Sequence, residues 1–537
     1  MTPRARLFVS LSLALATLSA GIRPAAADNV LSAAWLMQQP VPPPAGQAPA
    51  AQPPLSTTPP MFEDVTGPAK PMGLPELLQI AVRQSPALAS AQINMEVAET
   101  NVLAATAWAD WALRAQGSAS ADVAFDNESA QAGLRGSVDL SKRLGTGGTL
   151  TLHGETGGSY AKRESAITDN NPLGIPYTTK SYDGAVSITL LQPLMRDRGN
   201  IAAKGAERVA RANLDAAAVA RQAAAIQLVQ TVVLSYLDLV DAERQLEIRR
   251  GSLDLAKERL RVTIAGIDKG GTAKAETIPV EQAIATREEE VLAGEMQILD
   301  LSLALRRQVS LPSAKGDMVL KSTLDLAIPS RTWDQDAIVA AAEQFSPELA
   351  RLAALEKGAT IDVEVTENGL LPQLDLALTV GPGFQRNTEP EKDLIAGTQG
   401  VVSLTYQQAL GKTAAKASVR RARANVHSVQ VTAQDVRNQL VETAAVAVAN
   451  IQVAERRYAI AVRAVALAEQ NLAVEQARLG LGKSRNVDVL LRQDELRAAQ
   501  LRASVAITDW HRSAAAIAAL TGEILPQYGI SLDQTAR

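Results

Sequence analysis

Residues 201–265, IAAKGAERVARANLDAAAVARQAAAIQLVQTVVLSYLDLVDAERQLEIRRGSLDLAKERLRVTIA, decide how this chain is read. The stretch has no proline and is dominated by alanine, leucine, valine, glutamate and arginine, all good helix formers. At 1.5 Å per residue, roughly 65 residues make a helix about 100 Å long, three times the apolar thickness of a bilayer. Asp215, Arg221, Asp238, Asp241, Glu243, Arg244 and Glu247 interrupt its apolar positions, so it does not read as a membrane span. Ile226, Val229, Val233, Leu237 and Val240 recur at spacings of three and four, a coiled-coil stripe. A helix of this length needs neighbours running beside it.

Outward from this helix, the chain shows one plan twice. In the first half a helical region from Leu74 to about Ala115, broken at Ser85-Pro86, precedes a strand region at about 116–194. There the alternation has period two, as in Thr149-Leu150-Thr151-Leu152 and Ala185-Val186-Ser187-Ile188-Thr189-Leu190. Tyr160 to Lys180 reads as a long loop. The long helix at about 201–265 follows, then the turn Asp268-Lys269-Gly270-Gly271-Thr272. A return helix at about 276–309 carries Ile284, Val291, Ile298 and Leu305 at every seventh position. This first repeat spans 74–310, and 311–330 is a linker. In the second repeat, 331–522, Ser346-Pro347 echoes Ser85-Pro86. Strands lie at about 374–406, a second long helix at about 414–479 and a return helix at about 487–520. A tail, 523–537, ends the chain. An internal duplication is the simplest explanation.

Residues 1–27 read as a cleaved secretory signal: Arg4 and Arg6, the apolar run Leu7 to Ala20, and Ala25-Ala26-Ala27. Residues 28–73, with Pro42-Pro43-Pro44, Pro53-Pro54 and Pro59-Pro60, read as a flexible proline-rich extension. Cysteine is absent, which excludes disulfides, thiolate metal sites and thiol nucleophiles. A net charge of −4 gives no support to nucleic-acid binding. Trp108 and Trp111 suit either core packing or a membrane interface. The strand regions have room for four strands of the roughly 9–11 residues that span an outer membrane. Four strands cannot close a barrel, because the smallest such barrels have about eight. The chain must then pool strands with copies of itself.

At this point the residues resemble the TolC-like outer-membrane efflux family, over residues 74 to about 522. The resemblance rests on the duplicated plan, on Leu191-Gln192-Pro193-Leu194 between strand and long helix, and on Arg478-Leu479-Gly480-Leu481-Gly482-Lys483-Ser484 followed by Val487-Asp488-Val489-Leu490. It implies a mainly α protein with a membrane β-barrel portion. A homotrimer would form one 12-stranded barrel on a periplasmic α-helical coiled-coil tunnel. It implies a passive exit duct in the cell outer membrane, serving a tripartite efflux or secretion system with a periplasmic adaptor and an inner-membrane pump. No enzyme activity and no cofactor is implied. The family's docking tip maps onto Gly480, Leu481, Gly482 and Lys483, and more loosely onto Gly266, Asp268, Lys269, Gly270 and Gly271. Its acidic aperture maps onto Asp488, with Thr277 and Glu276 as first-half counterparts; Leu491 stands where a second acidic tier would be. Ala409 replaces Pro193 in the second half, and the first strand region is the longer of the two.

Competing readings are weaker. A periplasmic coiled-coil structural or adaptor protein without a pore would not need strands between its helices in both halves. Gly480 to Ser484 looks like the end of a phosphate-binding loop, but Ala477 replaces the required glycine and a helix replaces the preceding strand. His153, His427 and His511 are scattered and form no ligand cluster. Thr286-Arg287-Glu288-Glu289-Glu290 reads as a solvated helix face.

Overall fold

In the computed structural model, described for residues 69–124, 129–163, 177–269, 273–312, 318–324, 326–329, 331–387 and 394–531, helices and one large sheet alternate along the chain. The expected signal segment, nearly all of the proline-rich extension, and Gly270, Gly271 and Thr272 lie outside the described residues. The first half contains β1 (Lys70–Met72), α1 (Leu74–Gln84), α2 (Pro86–Thr106), β2 (Trp111–Ala124), β3 (Ser129–Arg143), β4 (Thr149–Arg163), β5 (Tyr177–Pro193), α3 (Ile201–Asp268) and α4 (Thr277–Gln308). The second contains β6 (Leu320–Ser322), α5 (Gln335–Phe345), α6 (Pro347–Asn368), β7 (Gln373–Asn387), β8 (Leu394–Gln407), α7 (Thr413–Gly480), α8 (Asn486–Leu520) and α9 (Ile524–Gln527).

Both long helices have 68 residues, about 100 Å each. An 18-residue window of the segment containing α3 has mean hydropathy 1.6, so length and composition alone would let it cross a bilayer. More than half of that window is instead buried against protein. Ile226, Val229, Val233, Leu237 and Val240 are all buried, together with Leu77 and Leu78 of α1, Leu305 of α4 and Ile507 of α8. Inside this core Tyr236 is almost fully buried. Its hydroxyl donates to the Met72 carbonyl at 3.0 Å and accepts from the Thr323 N–H at 3.0 Å. It thereby ties α3 to the short parallel pair β1–β6. A second core joins Ala444, Val448 and Ile451 of α7 to Ile338 of α5 and to Trp510 and Ile517 of α8.

The helices form two successive four-helix layers. Beside the sheet, α2 packs on α3, α3 on α6 and α6 on α7. Farther along, α4 packs on α3, α3 on α8 and α8 on α7. In the first layer, Gly205 of α3 lies so close to Val365 of α6 that an added Cβ would come within 2.2 Å of its Cγ2.

The sheet corrects the strand reading in three ways. It has six strands in one antiparallel order, β2-β3-β4-β5-β7-β8, not four. Residues 111–115 open β2 instead of ending a helix; helix propensity favours Ala112 and Ala115, but pairing with β3 overrides it. The expected loop at 160–180 is strand at both its ends, since β4 runs to Arg163 and β5 starts at Tyr177; residues 164–176 lie outside the described residues. The face of β2 and β3 that carries Ala115, Gly117, Ala119, Ala132 and Gly136 uses small residues, which blurs the period-two signal. Three short elements also fall in regions read as irregular: β1 in the extension, β6 in the linker and α9 in the tail, where Ile524 and Leu525 are buried.

Candidate functional site

The turn after α7 is built by its own backbone. Gly482 takes φ +70°, the left-handed conformation open to glycine. The Lys483 N–H donates to the Arg478 carbonyl at 2.9 Å and the Gly482 N–H to Leu479 at 2.9 Å, a Schellman closure. The Ser484 hydroxyl donates to Glu475, which also lies 3.6 Å from Arg478. Leu481 projects outward, 71 % exposed. A Cβ at Gly480 would meet nothing within 4 Å, so packing within the chain does not demand glycine there. Of the first-half tip residues, Gly266 and Asp268 lie in the last turn of α3 and Lys269 is its C-cap.

Asp488, the aperture residue expected from the sequence, occupies the third position of α8. Its Oδ2 accepts from the Arg485 N–H at 3.1 Å and lies 3.5 Å from the Arg485 guanidinium. It is a helix-start carboxylate, as the dipole favours, with its side chain 40 % exposed. Thr277 begins α4 and donates to the Lys274 carbonyl at 3.1 Å; Glu276 precedes it as N-cap. Each long helix separates its turn from the sheet by about 100 Å.

Sequence reasoning missed a buried bridge between the far helices. Arg287, read as part of a solvated face, is 2 % exposed. It donates to the Ser252 carbonyl of α3 (3.0 Å), to Gln493 (3.2 Å) and to Asp494 (3.0 Å) of α8. Arg497 of α8 adds an ion pair with Glu290 and lies 3.5 Å from Asp494. The signal was hidden because Arg287 sits among three glutamates.

The sheet has one apolar and one polar face. On the apolar face the register sets Leu113 opposite Leu140, Leu140 opposite Leu152, Leu152 opposite Ile188, Leu378 opposite Val402 and Leu376 opposite Leu404. Among the described residues nothing buries this face: Leu113, Val402 and Leu404 are each over 60 % exposed. Trp111, at the start of β2, is exposed on this face with the Lys142 ammonium 5.3 Å from its ring centre. Trp108 is instead half-buried and donates to Glu207 of α3 at 3.3 Å. The opposite face carries Thr189 bonded to Thr379 at 3.0 Å. It also carries a charged cluster in which His153 meets Asp139 (2.6 Å) and Glu155 (3.7 Å), and Arg135 meets Glu155 (3.9 Å) and Asp183 (3.7 Å).

Comparison with known proteins bears on the fold. No family model matches the chain, and no curated protein matches it by sequence. Solved structures do. The outer membrane protein VceC of Vibrio cholerae superposes with TM-score 0.58 at 15 % identity, covering 84 % of this chain and 96 % of that one. The CmeC outer membrane channel of Campylobacter jejuni gives 0.58 at 14 %, covering 86 % and 87 %. The open state of the MtrE outer membrane channel of Neisseria gonorrhoeae gives 0.58 at 15 %, covering 86 % and 91 %. The chain has the TolC-like fold.

Proposed function

We propose that this chain is the outer-membrane channel-tunnel component of a tripartite efflux or secretion system, a passive exit duct driven by an inner-membrane pump. One observation carries the reading: a sheet with an uncovered apolar face and a polar opposite face continues directly into helices about 100 Å long. A soluble fold would bury such a face; a membrane barrel turns it to lipid and its polar face to a lumen. A pore-free periplasmic adaptor has no use for it.

The assembly is a homotrimer built from the duplicated halves. Support comes from the edges of the far helical layer. On α7, Val446, Val453, Ile460, Leu467 and Val474 recur at every seventh residue and are all exposed. On α4, Ile278 and Leu292 are likewise exposed, with Ala285 between them. Two uncovered heptad stripes on opposite edges of one layer suit a head-to-tail ring of copies. The helices then form a periplasmic tunnel, and the signal peptide delivers the chain for export.

The adaptor docks at the tip, on Gly480, Leu481, Gly482 and Lys483 and on Gly266, Asp268, Lys269, Gly270 and Gly271. Exposed Leu481 and the bare backbone at Gly480 support this. Asp488, with Glu276 and Thr277, lines the aperture. Arg485 beside it makes the ring of three carboxylates only weakly cation-favouring.

The test is an in-cell photo-crosslink from a probe at Leu481, with membrane fractionation and planar-bilayer conductance of the same protein. The proposal expects a trimer in the outer-membrane fraction, conductance, and a captured periplasmic adaptor. A non-conducting protein in the soluble periplasm would overturn the duct. Capture of sister chains alone would overturn docking at this turn.

A further inference from the structure

We infer that three copies of this chain close an eighteen-stranded barrel whose wall joins β8 of one copy to β2 of the next. The inference rests on the trimeric reading above and fixes the partner surface and width of its membrane portion. Its basis is the strand order β2-β3-β4-β5-β7-β8, a continuous antiparallel ladder with two open edges. Both edge strands have 14 residues. Every residue of β8 is exposed, and its outer edge has no partner strand among the described residues.

Three properties make a second copy the occupant of that edge. First, the strand number is even, so β2 and β8 run in opposite directions. A copy placed head to tail therefore continues the antiparallel pattern, and the ring closes with no parallel junction. Second, both edges carry the same two faces. Trp111, Leu113 and Ala115 on β2, and Val402, Leu404 and Tyr406 on β8, lie on the apolar side, so joining them keeps that side continuous toward lipid. An edge left open in the membrane would strand its backbone N–H and C=O groups without partners.

The third property is circumference. Eighteen strands spaced about 4.8 Å apart and tilted about 40° need a ring of roughly 110 Å; twelve need roughly 75 Å. The sheet-side layer of four helices, α2, α3, α6 and α7, gives twelve helices in a trimer. At about 9 Å between axes these occupy roughly 110 Å. Six strands per copy thus meet four helices per copy without a step in the wall, and the barrel is about 1.5 times wider than a twelve-stranded one. The added width comes from the first half, which supplies four strands against two from the second. The cluster of Arg135, Asp139, His153, Glu155 and Asp183 lies on β3, β4 and β5 and faces the lumen, three carboxylates against one guanidinium per copy. Such a pore suits large hydrated cargo, with the narrow point left to the helical tip.

The absence of cysteine makes the test clean, because introduced thiols are the only ones present. Ala115→Cys on β2 is combined in turn with Ala396→Cys, Thr398→Cys, Val402→Cys and Leu404→Cys on β8 in the full chain. Leu152→Cys on β4 with the same β8 series is the counter-experiment. Strands are also counted by electron cryomicroscopy of the unaltered protein in lipid nanodiscs, which does not depend on any variant folding. The expected result is a covalent trimer from at least one β2–β8 pair, none from β4–β8, and eighteen strands. A trimer with twelve strands, or with β4–β8 crosslinks, would overturn the inference while leaving the exit duct standing. A protein with no closed barrel would overturn both.

Discussion

At the scale of single residues, a buried and a half-buried polar group on α3, Tyr236 and Glu243, have measurable consequences. Tyr236 satisfies the carbonyl of Met72 in β1 and the N–H of Thr323 just after β6. Tyr236→Phe removes the hydroxyl that both partners use and keeps the ring, leaving the buried Met72 carbonyl without its donor and the Thr323 N–H without its acceptor. A loss of about 1–3 kcal/mol is expected, read as a lower denaturation midpoint with unchanged helix content. Glu243 is the second. Its carboxylate accepts from the Ser322 N–H at 2.9 Å and from the Ser322 hydroxyl, yet burial pushes its pKa above the ordinary 4.5. A raised folded-state pKa means that its stabilising contribution is complete below the ordinary carboxylate value and lost as pH rises through the folded one. Glu243→Gln keeps one acceptor and turns the other oxygen into a donor toward Ser322. The variant is expected to match the parent in acid and equal or exceed it at neutral pH. Thermal midpoints of both proteins from pH 4 to pH 8 check this, and a parent gaining stability over the variant with rising pH would contradict it. Neither group could be picked out from sequence, since nothing local to Tyr236 or Glu243 announces a partner some 80 residues away.

At the scale of elements, legibility tracked the strength of periodicity. The long helices were readable because apolar residues recur over many turns; the paired stretches around Leu150, Leu190 and Leu376 were readable because leucine alternates with polar residues. β2 was not, because alanine and glycine carry much of its apolar face, and alanine by itself argues for helix; β3 showed its alternation only at Ser137-Val138-Asp139-Leu140. Four membrane-length strands were counted where six exist, because the alternation in this part of the chain is short and weak. At the candidate site the turn after α7 was legible, since Gly482 sits where a left-handed cap is needed, whereas the buried Arg287 was invisible within its acidic run. Helix packing was equally hidden: Gly205 looks like a blemish in a helix, but it lets α6 approach α3. Gly205→Ala places a methyl group against Val365 and is expected to cost about 1–3 kcal/mol, despite alanine's better helix propensity. Val365→Ala in the same chain should recover most of that loss, and a double-mutant cycle on thermal or denaturant midpoints reads the coupling. Additive losses would mean that the contact is not the cause.

At the scale of the whole molecule, what must be explained is the amount of apolar surface that the described residues leave uncovered in an ordered fold. It falls into two sets with different solvents. The sheet's outer face suits lipid, whereas the heptad stripe of α7 lies on helices interrupted by charge and suits another protein surface. The two can be separated by one substitution. Ile460 is 69 % exposed, stands in the middle of the stripe, and faces away from the Val448–Ile451 core on its own helix. Ile460→Glu costs the isolated fold little, because an exposed position takes a carboxylate without desolvation. In a ring of copies it places three charges in a packed seam, where an unpaired buried charge is strongly unfavourable. The variant should keep its helix content, yet run as a monomer in mild detergent where the parent runs as a trimer. Ile460→Leu should remain a trimer. A carboxylate at 460 that left the trimer intact would show that this stripe faces water or the adaptor, and the copies would then have to meet through other edges, chiefly those of the sheet.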